Sequence, residues 1–80
     1  MDSANSIPIT PVKSSNISGH GYANGTLRIV YTNGGRYDYE GVTPEEFADL
    51  ELANANPERS YGSTFHKGVR AKYKGRRLGE

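Results

Sequence analysis

Two Asn-Gly pairs constrain the fold of this chain more than any other feature, because each one separates two segments in which apolar residues alternate. Asn24-Gly25 lies between GHGYA and TLRIVY, and Asn33-Gly34 lies between LRIVYT and GRYDYEG. A type I′ turn needs a positive φ at both central residues, and Asn-Gly adopts it readily. The sequence therefore predicts two consecutive β-hairpins, which form a three-stranded antiparallel meander within residues 12–41.

The alternation also predicts which face of the meander is covered. Leu27, Ile29 and Tyr31 share one face of the middle strand, and Tyr37 and Tyr39 share one face of the third. The positions between them are mostly polar, as in an antiparallel sheet with one face packed on a core and the other in water.

A first helix has a clear N-terminal signature. Thr43 is placed as the N-cap, Pro44 occupies the first helical position, and Glu46 completes a capping box. The helix is predicted to end between Asn54 and Pro57.

A second helix is predicted to begin near Ser63 and to end at Gly75. Phe65, Val69 and Tyr73 recur every four residues and form one apolar stripe. The residues after Gly75 are expected to form a basic tail.

Together these elements predict an α+β fold, a three-stranded antiparallel β-meander with two α-helices packed on one face. Residues 1–11 are expected to be a flexible N-terminal arm. The alternation of Ile7 and Ile9 would also allow this segment to add an edge strand to the sheet, but Pro8 and Pro11 limit that strand. Residues 12–78 are expected to form a single domain. Its predicted core comprises Ile17, Leu27, Ile29, Tyr37, Tyr39, Phe47, Leu50, Phe65, Val69 and Tyr73.

Composition excludes several classes of protein. The 80 residues contain no cysteine, which excludes disulfides, thiol catalysis and thiolate zinc sites. No apolar run approaches the roughly 18 residues of a membrane span. The N-terminus has neither a basic start nor an apolar segment of the kind found in secretory signals. These features predict a cytoplasmic protein without a membrane partner or a cofactor, and so short a chain is expected not to be an enzyme. The oligomeric state stays open.

Charge is segregated along the chain although the net charge is only +1. Residues 38–58 contain seven acidic residues and no Lys or Arg, whereas residues 59–79 contain seven basic residues and no acid. The two blocks either pair within the fold or occupy separate faces, one of which presents a basic surface to an anion.

Several short motifs occur in an order that resembles the KTSC domain family. They are V-K-S-S-N-I (12–17), G-Y (21–22), L-R-I-V-Y (27–31), G-G-R-Y-D-Y-E-G-V (34–42) and S-Y-G-S-T-F-H-K-G-V-R-A-K-Y (60–73). The resemblance covers about residues 12–78. It implies a small bacterial or phage domain, named after a C-terminal extension of certain lysyl-tRNA synthetases. That attachment points to RNA, whereas stand-alone occurrence in phage genomes points to binding of a host protein.

Catalytic and metal-binding constellations are weak in this sequence. His20 and His66 fit no metal-ligand spacing and have no cysteine beside them. The serines at 14, 15 and 60 lack a nucleophile elbow, and we expect them to hydrogen-bond backbone groups. A nuclease that uses His66 with Arg70 is the remaining, least favoured enzymatic interpretation.

The basic C-terminal run carries the functional prediction. Such runs bind phosphate backbones without sequence specificity. We predict a non-catalytic module that binds RNA or other nucleic acid, with Tyr61 as an exposed ring for base stacking. The alternative is a phage-type adaptor or inhibitor that acts on a host protein. The predicted nucleic-acid-binding residues are Lys67, Arg70, Lys72, Lys74, Arg76 and Arg77.

Overall fold

A five-stranded antiparallel sheet forms the centre of the molecule in the computed structural model, which describes residues 7–56 and 58–78. The strands follow one another in chain order, so every connection joins neighbours. The α+β class and the antiparallel meander are confirmed, but the sheet has two strands more than the three predicted. The strands are β1 (Thr10–Pro11), β2 (Ile17–Ala23), β3 (Thr26–Tyr31), β4 (Arg36–Glu40) and β5 (Gly75–Arg77).

The two Asn-Gly turns differ. Asn24 and Gly25 have φ values of 53° and 79°, as a type I′ turn requires. At the second turn only Gly34 has a positive φ, 96°, and the chain crosses from β3 to β4 in four residues. There the Gly35 amide donates to the Asn33 side-chain oxygen at 2.9 Å. The second hairpin is present, but its connection has four residues instead of the two of a type I′ turn.

The two additional strands lie at the edges of the sheet. Thr10 and Pro11 pair with β2, and Ile7 is buried, so residues 7–11 belong to the fold; residues 1–6 lie outside the described residues. At the other edge, β5 pairs with β4 where a basic tail was predicted. An N-terminal edge strand, which the alternation of Ile7 and Ile9 left open, is thus present at Thr10–Pro11. The three residues of β5 are too few to show the alternation by which a strand is recognised in a sequence.

Helix α1 (Pro44–Ala55) begins as its sequence predicts. The Glu46 amide donates to the Thr43 hydroxyl at 3.2 Å, and the Thr43 amide donates to the Glu46 carboxylate at 3.0 Å. The capping box is therefore confirmed. Within the part of the chain that the structure describes, no helix has the length and apolar character needed to cross a bilayer.

Loss of the capping hydroxyl should weaken α1 measurably. We expect Thr43→Ala to lower the free energy of unfolding by about 0.5–2 kcal/mol, since the Glu46 amide loses its acceptor. Thr43→Ser, which keeps the hydroxyl, is the matched control. The measurement is the urea midpoint followed by circular dichroism, and equal midpoints for the alanine variant and the native protein would show that the cap adds nothing.

The second helix is short and continues into a wider turn. Helix α2 (Tyr61–Phe65) begins two residues before the predicted start, and Ser60 is its N-cap. A π-helical turn (His66–Arg70) follows, with the Ala71 amide donating to the His66 carbonyl at 3.0 Å. Apolar residues spaced four apart drift around a helix of 3.6 residues per turn. The wider turn offsets this drift, and both Phe65 and Val69 are buried.

Both helices pack on one face of the sheet. His20 and Tyr22 of β2 contact Phe47 of α1, each with ring centroids 4.9 Å apart, and Tyr39 of β4 meets the Phe65 ring edge-on at 5.4 Å. The predicted core is largely confirmed, with Tyr37, Phe47 and Tyr73 only partly buried. The prediction omitted Ile7, Val12, Val42, Ala53 and Tyr61.

The opposite face of the sheet holds a buried ion pair that its polar pattern did not predict. The Arg28 guanidinium donates to both carboxylate oxygens of Asp38, at 2.8 and 3.0 Å. Their side chains are only 6% and 4% exposed. Alternation correctly separated these two residues from the apolar face but implied that they lie in water.

Candidate functional site

Strand register divides the basic C-terminal residues between the two faces of the sheet. Arg77 is opposite Tyr37 on the face that carries the helices, whereas Arg76 is opposite Asp38 on the other face. Neighbouring residues of a strand always point to opposite faces. The predicted continuous basic surface is therefore interrupted within β5.

Two of the six predicted binding residues take part in ion pairs with the acidic block. Lys72 contacts Glu46 at 3.0 Å, and Arg76 contacts Glu40 at 3.0 Å. Hydrogen bonds from the Thr43 backbone, the Tyr73 hydroxyl and Lys72 lower the pKa of Glu46 to about 2. The blocks thus pair in part, and these two cations are engaged with carboxylates.

Arg70 and Arg77 converge on a depression beside the β3–β4 turn, which we name the tyrosine cavity. Its volume is about 660 Å³, within the range of ligand pockets. Tyr31 and Tyr37 are half-buried there, with ring centroids 5.4 Å apart in an edge-to-face arrangement. The lining residues are Tyr31, Asn33, Gly34, Gly35, Arg36, Tyr37, Tyr39, Arg70, Arg77 and Leu78.

A second depression, the serine cavity, adjoins the first. Its volume is about 550 Å³, and its walls come from the β1–β2 connection, from the start of α2 and from the π-helical turn. The lining residues are Lys13, Ser14, Ser15, Asn16, Ile17, Tyr31, Arg59, Ser60, Tyr61, Gly62, Ser63, Phe65, His66 and Arg70.

The two cavities share Tyr31 and Arg70. Among the described residues that line them there are five Lys or Arg and no Asp or Glu, although the whole chain is nearly neutral. The five are Lys13, Arg36, Arg59, Arg70 and Arg77. Aromatic rings, hydroxyl groups and an excess of positive charge therefore meet in one region of the surface.

A pair of tyrosine hydroxyls lies at the junction of the cavities. The hydroxyls of Tyr31 and Tyr39 are 3.4 Å apart. Burial and the hydrogen bond with Tyr31 raise the pKa of Tyr39, while the positive charge of Arg70 acts in the opposite direction. Arg70 is thus close enough to influence the Tyr39 hydroxyl. Tyr39 therefore stays neutral and adds no negative charge that would repel an anion.

Tyr61 is not the exposed stacking residue that the sequence predicted. It is 3% exposed, and its hydroxyl lies 2.7 Å from Nδ1 of the buried His20. Burial lowers the pKa of His20, with Glu51 acting against the shift, and burial raises the pKa of Tyr61. The bond to His20 holds the Tyr61 side chain, which lines the serine cavity. The position of Tyr61 beside Gly62 indicated a loop, but a partner 41 residues away decides its burial.

The other predicted residues lie outside the cavities, and some cavity residues were missed. Lys67 and Lys74 are exposed cations that do not line either cavity. Lys13 and Arg59 were not among the predicted site residues, although Lys13 belongs to the family motif V-K-S-S-N-I and Arg59 directly precedes the motif S-Y-G-S. These two motifs could have pointed to the cavity residues, but their serines were interpreted from the sequence as structural.

Two of the three serines, Ser14 and Ser60, have the predicted structural role. The Asn16 amide donates to the Ser14 hydroxyl oxygen at 3.4 Å, and the Ser63 amide donates to that of Ser60 at 3.1 Å. Among the residues that the structure describes, no group of three or more His, Asp or Glu is placed to hold a metal ion.

Comparison with known proteins agrees with the resemblance drawn from the motifs. The family model of the KTSC domain matches residues 13–73. The fold is similar to a crystal structure of a KTSC domain protein from Yersinia pestis, with a TM-score of 0.79 and 29% sequence identity. The similarity covers 91% of this chain and 99% of that one. No curated protein matches this chain.

Proposed function

We propose that this chain, which belongs to the KTSC domain family, is a non-catalytic module that binds single-stranded RNA or other single-stranded nucleic acid through the tyrosine and serine cavities. One observation carries the proposal. Two adjoining depressions share an aromatic and a basic residue, and their described lining contains five cations and no carboxylate.

The tyrosine cavity suits an unpaired base. Tyr31 and Tyr37 are half-buried, so their rings are held by the fold while part of each stays accessible. Proteins that bind single strands place bases on such rings beside positive charge, and each stacked base contributes about 1–3 kcal/mol. Bases inside a duplex are not available for this contact, which favours a single-stranded ligand.

The cations suit the phosphates on either side of that base. Arg70 belongs to both cavities, Arg77 lies on the tyrosine side, and Lys13 and Arg59 lie on the serine side. This set retains two residues of the basic run predicted from the sequence and adds two from elsewhere in the chain. Contacts to phosphate position a strand without reading its sequence. We therefore expect little preference among base sequences.

A host protein is the second candidate partner, and the edge of the sheet favours it. Within the described sheet β5 pairs only with β4, so its outer backbone groups are available to an added strand. Arg77 on this edge would favour an acidic peptide, whereas Arg76 is already paired with Glu40. Since Arg77 also lines the tyrosine cavity, variants of the serine cavity are the ones that separate the two candidates.

Salt dependence tests the nucleic-acid proposal quantitatively. Four phosphate contacts should give a slope of about −3 in log affinity against log salt, because each contact on a single strand contributes about −0.7. Arg77→Ala should flatten that slope by about 0.7, whereas Arg76→Ala should leave it unchanged. The two arginines are neighbours in one strand, so they are a matched pair that differs in the face occupied. The measurement is fluorescence anisotropy between 50 and 200 mM salt, with two unrelated RNA oligonucleotides.

Three outcomes would count against the proposal. Absence of binding at 50 mM salt with protein above 100 μM would overturn it and leave the protein partner as the better candidate. Equal effects of the two arginine variants would show that binding does not use the cavity face. Shortened oligonucleotides on a denaturing gel after incubation would overturn the non-catalytic assignment.

A further inference from the structure

We propose that the serine cavity binds a phosphomonoester, the terminal phosphate of a nucleic-acid strand, because hydroxyl donors and three cations from separate segments meet there beside an aromatic cavity. This inference rests on the proposed function and deepens it. A domain that binds in this way recognises a strand end and not only a strand.

The hydroxyl groups come from two segments that the fold brings together. Ser14 and Ser15 lie in the β1–β2 connection, whereas Ser60 and Ser63 lie at the start of α2. A serine hydroxyl can donate one hydrogen bond and accept two. Ser14 and Ser60 use their oxygens as acceptors for backbone amides, and this leaves each hydroxyl proton able to donate. An anion that accepts hydrogen bonds matches these protons.

The charge in this cavity favours a dianion. Lys13, Arg59 and Arg70 line it, and the described lining contains no carboxylate. A phosphomonoester carries about −1.5 to −2 charges at pH 7 and has three acceptor oxygens. A phosphodiester within a strand carries one charge and has only two unbridged oxygens. Three cations therefore stabilise a terminal phosphate more than an internal one.

The walls of the cavity are fixed before any ligand arrives. The Asn54 side chain of α1 accepts from the Lys13 amide at 3.0 Å and donates to the Pro11 carbonyl at 3.1 Å. On the other wall, the Ser60 cap and the bond between Tyr61 and His20 hold the start of α2. A site that needs little ordering loses less free energy on binding.

The neighbouring tyrosine cavity decides which phosphomonoester fits. Since the cavities share Tyr31 and Arg70, a terminal nucleotide can place its phosphate among the serines while its base lies against Tyr31 and Tyr37. Arg70 lies between the two groups and can contact the phosphate. Inorganic phosphate alone would occupy only the serine cavity and should bind more weakly than a phosphorylated strand.

The test compares three forms of one short, internally labelled RNA oligonucleotide, with a 5′-phosphate, with a 3′-phosphate, or with hydroxyls at both ends. We expect fluorescence anisotropy to show that one phosphorylated form binds at least about tenfold more tightly than the hydroxyl form, the size of one charge-assisted hydrogen bond. Whichever phosphorylated form is preferred identifies the end that is recognised. Inorganic phosphate should compete with that form more effectively than with the hydroxyl form.

Variants assign the preference to the serine cavity. Arg59→Ala and Ser15→Ala should reduce the preference for the phosphorylated end toward unity, since both residues are exposed and line this cavity alone. Arg77→Ala should weaken all three forms by a similar factor, because it lines only the tyrosine cavity. Thermal melts of each variant confirm that the fold is retained.

The outcomes separate this inference from the proposed function. Equal affinity for all three forms would overturn recognition of the end and leave the binding of single strands intact. If the preference for the phosphorylated end is retained in each of the two single variants, Arg59→Ala and Ser15→Ala, the assignment to the serine cavity is wrong. Failure of all three forms to bind would overturn both proposals.

Discussion

Phe65→Ala should leave most of the protein unfolded at 37 °C. Phe65 is 3% exposed and joins α2 to the sheet through its edge-on contact with Tyr39. Removal of a buried phenylalanine typically lowers the free energy of unfolding by about 3–5 kcal/mol. Domains are stable by about 5–15 kcal/mol in total, and the smallest lie at the low end. The measurement is a thermal melt followed by circular dichroism.

Leu52→Ala is the matched control for this change. Leu52 is 57% exposed on α1, so its truncation should alter the free energy of unfolding by no more than about 0.5 kcal/mol. If the Phe65 variant instead melts cooperatively within a few degrees of the native protein, Phe65 is not part of the core, and the packing of α2 described above is wrong.

Arg28→Met should have a cost of similar size for an electrostatic reason. The Asp38 carboxylate would stay buried without the guanidinium that contacts both of its oxygens. Breaking a buried ion pair by removing one partner destabilises proteins by about 3–5 kcal/mol. Urea denaturation followed by circular dichroism measures the loss.

Two further variants separate the cost of a buried, unpaired carboxylate from the loss of attraction between two charges. Arg28→Met combined with Asp38→Leu should recover most of the loss, since replacement of both members by apolar residues is often neutral. Arg76→Met removes the exposed partner of Glu40 and should cost at most about 1 kcal/mol. A small effect of Arg28→Met alone would indicate that water reaches Asp38.

Local chemistry explains what the sequence predicted correctly. The type I′ turn at Asn24-Gly25 and the capping box at Thr43 depend on residues a few positions apart, and both are present. The buried stripe that contains Phe65 and Val69 is likewise a local pattern. The motifs gave the family because several of them occur in a fixed order.

Contacts between distant segments explain what was missed. β5 was mistaken for a tail because three residues are too few to show alternation, and only pairing with β4 makes them a strand. Arg28 is buried by its neighbours on the second face, which no pattern within β3 reveals. The serine cavity joins residues near 14 to residues near 60. The sequence therefore shows each of its cations separately but not that they line the same cavity.

The strongest test of the account locates the ligand directly on the protein. Addition of a short single-stranded RNA to the 15N-labelled domain should shift the backbone amides that line the two cavities, above all those of Tyr31, Gly35, Ser15, Ser63 and Arg70. The amides on the outer face of α1 around Leu52 should stay unchanged. Shifts confined to the outer face of α1 or to the outer edge of β5 would contradict binding through the two cavities. The absence of any shift at a large excess of RNA would contradict it as well.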